Sequence, residues 1–234
     1  RLMKFIFINL IFVVIINNNI SQLNDYQQCE KLMVYVSNSQ MTYCEAWLNC
    51  YKSGGRFMLE SEFSVIEKCG KLLNNTPYYI GLNDLVYERN NKRTGWIFSD
   101  SSTLVNTSYW FWNQPNAMAG NEDCVFFRSN FLHDVRCDTL TGYICVQTTY
   151  RNFQPRLYSI DSRRPIINND DQEGCYDSFK LTNELECALI SITQPYYKSF
   201  YFDTVQNECV LTKYVDSSLS KKYNQFDRNW KIYS

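Results

Sequence analysis

The stretch WNQPNAMAGNEDC, residues 112–124, sets a proline among side-chain amides and closes on two carboxylates and a cysteine. Proline lacks the N–H that a helix interior needs, and unpaired amides and carboxylates are costly in an apolar core. The stretch is therefore a polar loop. Its oxygen-bearing side chains are of the type that holds a hard cation, so the loop is either a cation site that grips something outside the protein or a polar surface.

The rest of the composition narrows the choice. The chain has 234 residues, enough for one large or two small domains; 45% are hydrophobic and 20% charged, which predicts folded cores. A formal net charge of −1 gives no electrostatic case for nucleic acid or for an anionic membrane. His133 is the single histidine, so neither a His-rich metal site nor a second imidazole base is available.

Residues 1–22, RLMKFIFINLIFVVIINNNISQ, place Lys4 before an apolar run from Phe5 to Ile16 and a polar exit. This is the pattern of a secretory signal peptide, expected over 1–21 with Met3 as initiator; the run is too short for a comfortable membrane span. All ten cysteines lie beyond it. An even number in an oxidising compartment predicts pairing, and the lack of any C-x-x-C argues against zinc and against thioredoxin-type chemistry. Asn74 (NNT) and Asn106 (NTS) are glycosylation acceptors in keeping with secretion.

Two cysteine-rich blocks, 25–147 and 173–234, flank a stretch at 148–172 that contains two prolines, mixed charges and no sustained periodicity, a linker by composition. In the first block MTYCEAWLNCYKSGG (41–55) predicts a helix with Tyr43, Trp47 and Cys50 on one face and Gly54-Gly55 as its stop. SEFSVIEKCGKLL (61–73) predicts a second helix with Ser61 as N-cap and Phe63, Val65, Ile66 and Cys69 at helical spacing. The short runs YYIGL, GWIF, DCVFF and GYICV are strands bounded by Gly, Asn and Asp, so the block is α+β.

These pieces, in this order, resemble the C-type lectin-like domain over roughly residues 30–147. The resemblance rests on Ala46 four before Cys50, Gly54-Gly55, YIGLND at 79–84, GWIFSDSS at 95–102, Trp110 four before Gln114, and then QPN, EDC, LHDVRC and YIC. It implies a disulfide between Cys50 and Cys145 and another between Cys124 and Cys137, stabilising by about 4–5 and about 3 kcal/mol from loop entropy. Cys44 and Cys69, on the two helices, are expected to pair by proximity, leaving Cys29 without a partner in this block.

The resemblance also implies a calcium and sugar site. The family's ligand positions fall on Gln114, Asn116, Glu122, His133 and Asp134, with Pro115 as a cis proline turning its neighbours toward one ion. The ion offers two coordination positions to vicinal hydroxyls of a monosaccharide. Two departures stand out. QPN is a hybrid of the mannose-type and galactose-type motifs, so it does not select between them. His133 stands where the family has Asn, which removes an oxygen ligand and leaves a site charge of −2 from Glu122 and Asp134. Calcium is thus expected to bind weakly, and more weakly below about pH 6.5, where imidazole protonates. An auxiliary calcium site would use Asp84, Glu88, Glu122 and Asp123, although Ala117 replaces its usual Asp. Trp96 and Trp110 match core positions of the family. Trp112 has no such place and, if exposed beside the site, is suited to stack on a pyranose.

In the second block Thr182 is placed to cap a helix NELECALIS, followed by SFYFD and ECVL. This resembles a PAN/apple domain, which implies a helix–sheet disulfide between Cys187 and Cys209. Cys175 and Cys29 remain, either joined to each other or bridging two chains into a homo-oligomer. Together these readings predict a secreted, non-enzymatic lectin binding glycans or glycoproteins with Ca2+, and as the alternative a calcium-independent protein-interaction or adhesion module of the same fold.

Overall fold

The structure is a computed structural model and describes residues 26–69, 75–83, 96–98, 108–116, 122–147, 160–161, 167–168, 175–194, 196–213, 219–220 and 230–233. The expected signal peptide at 1–21, the acceptors Asn74 and Asn106, the carboxylates Asp84 and Glu88, and most of 148–172 lie outside the described residues.

Helix α1 (Tyr43–Lys52) starts where Thr42 folds back on it. The Thr42 hydroxyl accepts the Glu45 N–H, and the Glu45 carboxylate accepts the N–H and O–H of Thr42 at 3.0 and 2.8 Å. This reciprocal cap satisfies donors that the first turn leaves open. Tyr43, Ala46, Trp47 and Cys50 form the buried face, and Gly54 ends the segment at φ +90°, where a side chain would be strained. The second helix is shorter than the sequence predicts. A 3-10 turn covers Glu60–Glu62 and α2 covers Phe63–Lys68. Ser61 sits inside that turn rather than at a cap. The entry is organised by the buried Glu62, whose carboxylate accepts the Leu59 N–H and both terminal guanidinium nitrogens of Arg56.

Eight strands form the main sheet: β1 (Gln27–Cys29), β2 (Leu32–Met41), β3 (Gly55–Phe57), β4 (Tyr78–Asn83), β5 (Ile97–Phe98), β6 (Cys124–Arg128), β7 (Phe131–Val135) and β8 (Thr141–Gln147). Their order is β1-β2-β8-β4-β6-β7, with β3 beside β8 and β5 beside β4; neighbours are antiparallel except β4 and β8. The four runs predicted as strands fall on β4, β5, β6 and β8, whereas β1, β2, β3 and β7 were not anticipated. Ile80, Leu82, Trp96, Val125, Phe127, Leu132 and Ile144 fill one core cluster, and Tyr43, Trp47, Phe57, Tyr79 and Tyr143 fill another against α1. Each large apolar side chain so buried stabilises by about 1.5–3 kcal/mol before entropy is counted. This is the α+β arrangement of the C-type lectin-like fold.

The second block is also α+β. Its strands β9 (Ile160–Asp161), β11 (Tyr176–Lys180), β12 (Ser199–Asp203), β13 (Glu208–Thr212) and β15 (Trp230–Tyr233) form a five-stranded sheet in the order β11-β13-β12-β15-β9. A parallel pair joins β10 (Ile167–Asn168) to β14 (Leu219–Ser220). Residues 160–161 and 167–168 thus pair as strands inside the stretch that composition marks as linker. Helix α3 (Glu184–Thr193) is capped by Asn183, which accepts the Glu186 N–H at 3.0 Å, and not by Thr182. It buries Cys187 and Ser191 and leaves Leu185, Leu189 and Ile192 exposed.

All ten cysteines are paired within the chain. Cys50 bonds Cys145, Cys124 bonds Cys137 and Cys187 bonds Cys209. Two expectations are corrected. Cys69 pairs with Cys29 and Cys44 with Cys175, so Cys44 and Cys69 are not partners. The reason is packing: the end of α2 lies against the β1–β2 hairpin, while Cys44 looks outward from α1 toward the second block. Neither Cys29 nor Cys175 is left to bridge two chains.

The blocks meet along α1. Besides the Cys44–Cys175 bond, the Lys52 ammonium lies 5.8 Å over the Tyr196 ring and the Lys198 ammonium 5.6 Å over the Tyr51 ring. Tyr51 and Tyr196 meet edge to face at 6.5 Å. Each block therefore lends a cation to an aromatic face of the other. No helix among the described residues is long and apolar enough to cross a membrane.

Candidate functional site

The site is built on the β6–β7 hairpin. Ser129 and Asn130 turn it with φ of 49° and 68°, the paired left-handed residues of a tight hairpin turn. That turn fixes the register, placing Phe126 opposite His133 and Val125 opposite Asp134. Because successive strand residues face opposite sides, His133 and Asp134 diverge.

The polar loop docks against this hairpin. Leu132 donates its N–H to Tyr109 O at 2.9 Å, and Phe111 donates to Leu132 O at 3.1 Å, so the loop's entry runs along β7. Gln114 N–H then returns to Phe111 O at 2.8 Å, closing a turn with Trp112 and Asn113 at its tip. The Gln114–Pro115 peptide is cis. Beyond it the Asn116 N–H meets both Asp134 oxygens, at 3.1 and 3.0 Å, and Asp134 is buried. Gln114, Asn116 and Asp134 are thereby gathered. Glu122 and Asp123 lead into β6, the first half-buried and the second buried. The Gln114 carbonyl oxygen Oε1 is buried and finds no hydrogen-bond partner among the described residues.

His133 does not join this group. Its ring stacks between Phe111 and Phe126, at 5.1 and 5.2 Å between centroids and 27° and 21° between planes. Burial, and then the nearby Arg128 charge, push its pKa below the ordinary value, against the opposing pull of Asp134. The imidazole is thus neutral at pH 7, and its protonation lies lower than the ordinary range that the sequence suggests. Trp96 is fully buried and packs on Trp110 at 5.0 Å. Trp112, by contrast, is 79% exposed.

The donor types fit calcium: carbonyl and carboxylate oxygens, one of them a buried carbonyl lacking a partner. The donor number falls short, because His133 is held in an aromatic stack. Among the described residues no group of three or more His, Cys, Asp or Glu side chains gathers as a metal site. The rings Phe111, Phe126 and Phe131 were missed by sequence reasoning. Their only signals were the WFW at 110–112, the apolar run DCVFF and the FLH that follows Asn130, and joining them required the hairpin register.

Residues 39–147 match the family model of the lectin C-type domain. Among curated proteins the chain is similar to Collectin-10 of Gallus gallus, 24% identical over 123 residues that cover 51% of this chain and 43% of that one. It is also similar to CD209 antigen-like protein 2 of Macaca mulatta, 28% identical over 143 residues, covering 57% and 52%. The chain spans about half the length of these relatives. Among solved structures it aligns with the cow C-type carbohydrate-recognition domain of CD23 at a TM-score of 0.46 and 23% identity, covering 54% of this chain and 95% of that one. A calcium-independent type II antifreeze protein aligns at a TM-score of 0.44 and 16% identity, covering 53% and 92%. Residues 39–147 of this chain are thus similar to the lectin C-type domain, and the sheet order and helices above are those of the C-type lectin-like fold.

Proposed function

We propose that the chain is a secreted carbohydrate-binding protein without enzymatic activity, recognising glycans through the loop that carries Gln114, Pro115 and Asn116. The observation that carries this reading is the buried Gln114 Oε1, without a hydrogen-bond partner among the described residues, next to an Asn116 already held by Asp134. An acceptor left open at such depth costs free energy unless a ligand or ion completes it. Gln114, Asn116, Glu122 and Asp134 would hold a Ca2+ ion weakly, and a bound ion would supply coordination positions for vicinal sugar hydroxyls. The chain's own part is to hold those amides and carboxylates in place so that they also hydrogen-bond the hydroxyls. Asp84, Glu88 and Asp123 are the proposed auxiliary calcium set.

Five intrachain disulfides support an oxidising compartment and hence secretion, with 1–21 as a signal peptide and Asn74 and Asn106 as glycosylated. The proposed domains are 25–147, a connecting stretch at 148–172, and a PAN/apple-like module at 173–234. A helix bridged to a sheet strand by Cys187–Cys209 supports the last of these. A second reading, a calcium-independent protein-interaction module, is favoured by the position of His133 in the aromatic stack. Chromatography on mannose and galactose resins separates the two: retention with calcium and release by chelator are expected. Passage through both resins in either buffer would sink the lectin reading.

A further inference from the structure

Trp112 is the most exposed of the large hydrophobic side chains described, and it does not stand alone. It sits at the tip of the Phe111–Gln114 turn, with its ring 6.3 Å from Phe111. Phe111 in turn meets Phe131, itself 43% exposed, edge to face at 5.6 Å. Beneath Phe111 lie the rings of His133 and then Phe126, each nearly parallel to the next. Five rings thus form one continuous aromatic body, based in the β6–β7 hairpin and opening to solvent through Trp112 and Phe131. A flexible Trp on a bare loop would gain nothing from such a foundation. A platform that must keep its face presented would, because less side-chain entropy is lost when a ligand settles on it.

We propose that Trp112 and Phe131 form an aromatic shelf that stacks the apolar face of a sugar ring, placing that ring's hydroxyl rim against the amides of the adjoining loop. The inference rests on the carbohydrate reading and adds to it a contact made by ring faces rather than by an ion. The occupant follows from what borders the shelf. The exposed Asn113 lies at the same turn tip, and Gln114 Oε1 and Asn116 follow within four residues of Trp112. A pyranose has this alternation of chemistry, a patch of C–H groups ringed by hydroxyls. A bilayer would require the amides to be desolvated together with the rings, and the chain's net charge of −1 adds no attraction to anionic lipid. The shelf also gives His133 a positive role. As the middle ring of the stack it supports Phe111, which an asparagine there would not do.

The test uses the full chain with calcium on a printed glycan array, followed by fluorescence titration of the best-bound glycan. Trp112→Ala is expected to weaken binding about tenfold, the scale of a lost aromatic contact, while Trp112→Phe retains most of it. At 79% exposure the side chain contributes little to the fold, so the thermal midpoint should not move, and that measurement accompanies each variant. Equal binding by wild type and Trp112→Ala overturns the shelf and leaves the carbohydrate reading standing. Trp112→Phe as weak as Trp112→Ala also overturns it, since a ring face would then not be the contact. A wild-type chain that binds no glycan overturns both.

Discussion

At the scale of single residues, His133 shows how the same side chain changes meaning between sequence and structure. In sequence it occupies a ligand position and looks like a damaged calcium site. In the fold it is a ring between two rings, with its pKa lowered first by burial and then by Arg128. The unfolded chain therefore takes up the proton before the folded one as pH falls from about 6.5, the ordinary value for His. Stability from this residue is complete above that pH and declines as pH drops toward the lower folded value. The thermal midpoint of the wild type should fall between pH 7 and pH 5. His133→Phe, which keeps the stack and cannot protonate, should show a smaller fall. Parallel pH profiles for the two would refute the burial of this imidazole. That position was not legible in the sequence because it depends on the register of β6 against β7, set by a two-residue turn at Ser129 and Asn130.

Of the two helices in the first block, α1 was the more legible and α2 the less, for physical reasons. The α1 pattern is carried by large apolar residues at helical spacing and a glycine stop, signals that tertiary contacts reinforce. Its N-terminal cap adds a local term. Thr42→Ala should cost about 1 kcal/mol at neutral pH, measured by denaturant unfolding. The backbone N–H and hydroxyl of Thr42 hold the Glu45 carboxyl below its usual pKa. Stability from that pairing is therefore present above the unfolded value and is lost as pH falls through the folded one. The gap between wild type and Thr42→Ala should accordingly narrow toward pH 3, and a gap independent of pH would exclude the reciprocal cap. In α2 the helical spacing of Phe63, Val65 and Ile66 was real, but the Arg56–Glu62 pair takes over the N-terminal turn. The strand β2 escaped notice because its mixed face does not alternate: its burial depends on lying between β1 and β8. Of the candidate site, the loop and its amides were visible in the sequence. The aromatic foundation was not, since its rings come from the loop's turn and from the two strands β6 and β7.

On the scale of the whole molecule, the two blocks are separate in composition and joined in space, and Cys44–Cys175 is the one disulfide that crosses between 26–147 and 175–213. No spacing rule pairs cysteines 131 residues apart, which is why the sequence reading gave Cys44 to Cys69 and left Cys175 open. The nearby Cys50–Cys145 bond shortens the loop that this bridge closes, so its removal should cost about 4 kcal/mol rather than the full value for so long a span. The reciprocal cation–aromatic contacts of Lys52 with Tyr196 and Lys198 with Tyr51 remain after the bridge is cut, and they hold the blocks only in native solvent. Limited trypsin cleavage after Arg151, Arg156 or Arg163 tests the arrangement directly. Nicked wild-type chain should run as one species on a denaturing gel without reductant and as two fragments with it. The double variant Cys44→Ser, Cys175→Ser should give two fragments in both lanes, and its thermal midpoint should fall before any cleavage. Two fragments from unreduced wild type would mean that Cys44 and Cys175 are not partners, and the contact between the blocks would then rest on the aromatic and lysine side chains alone.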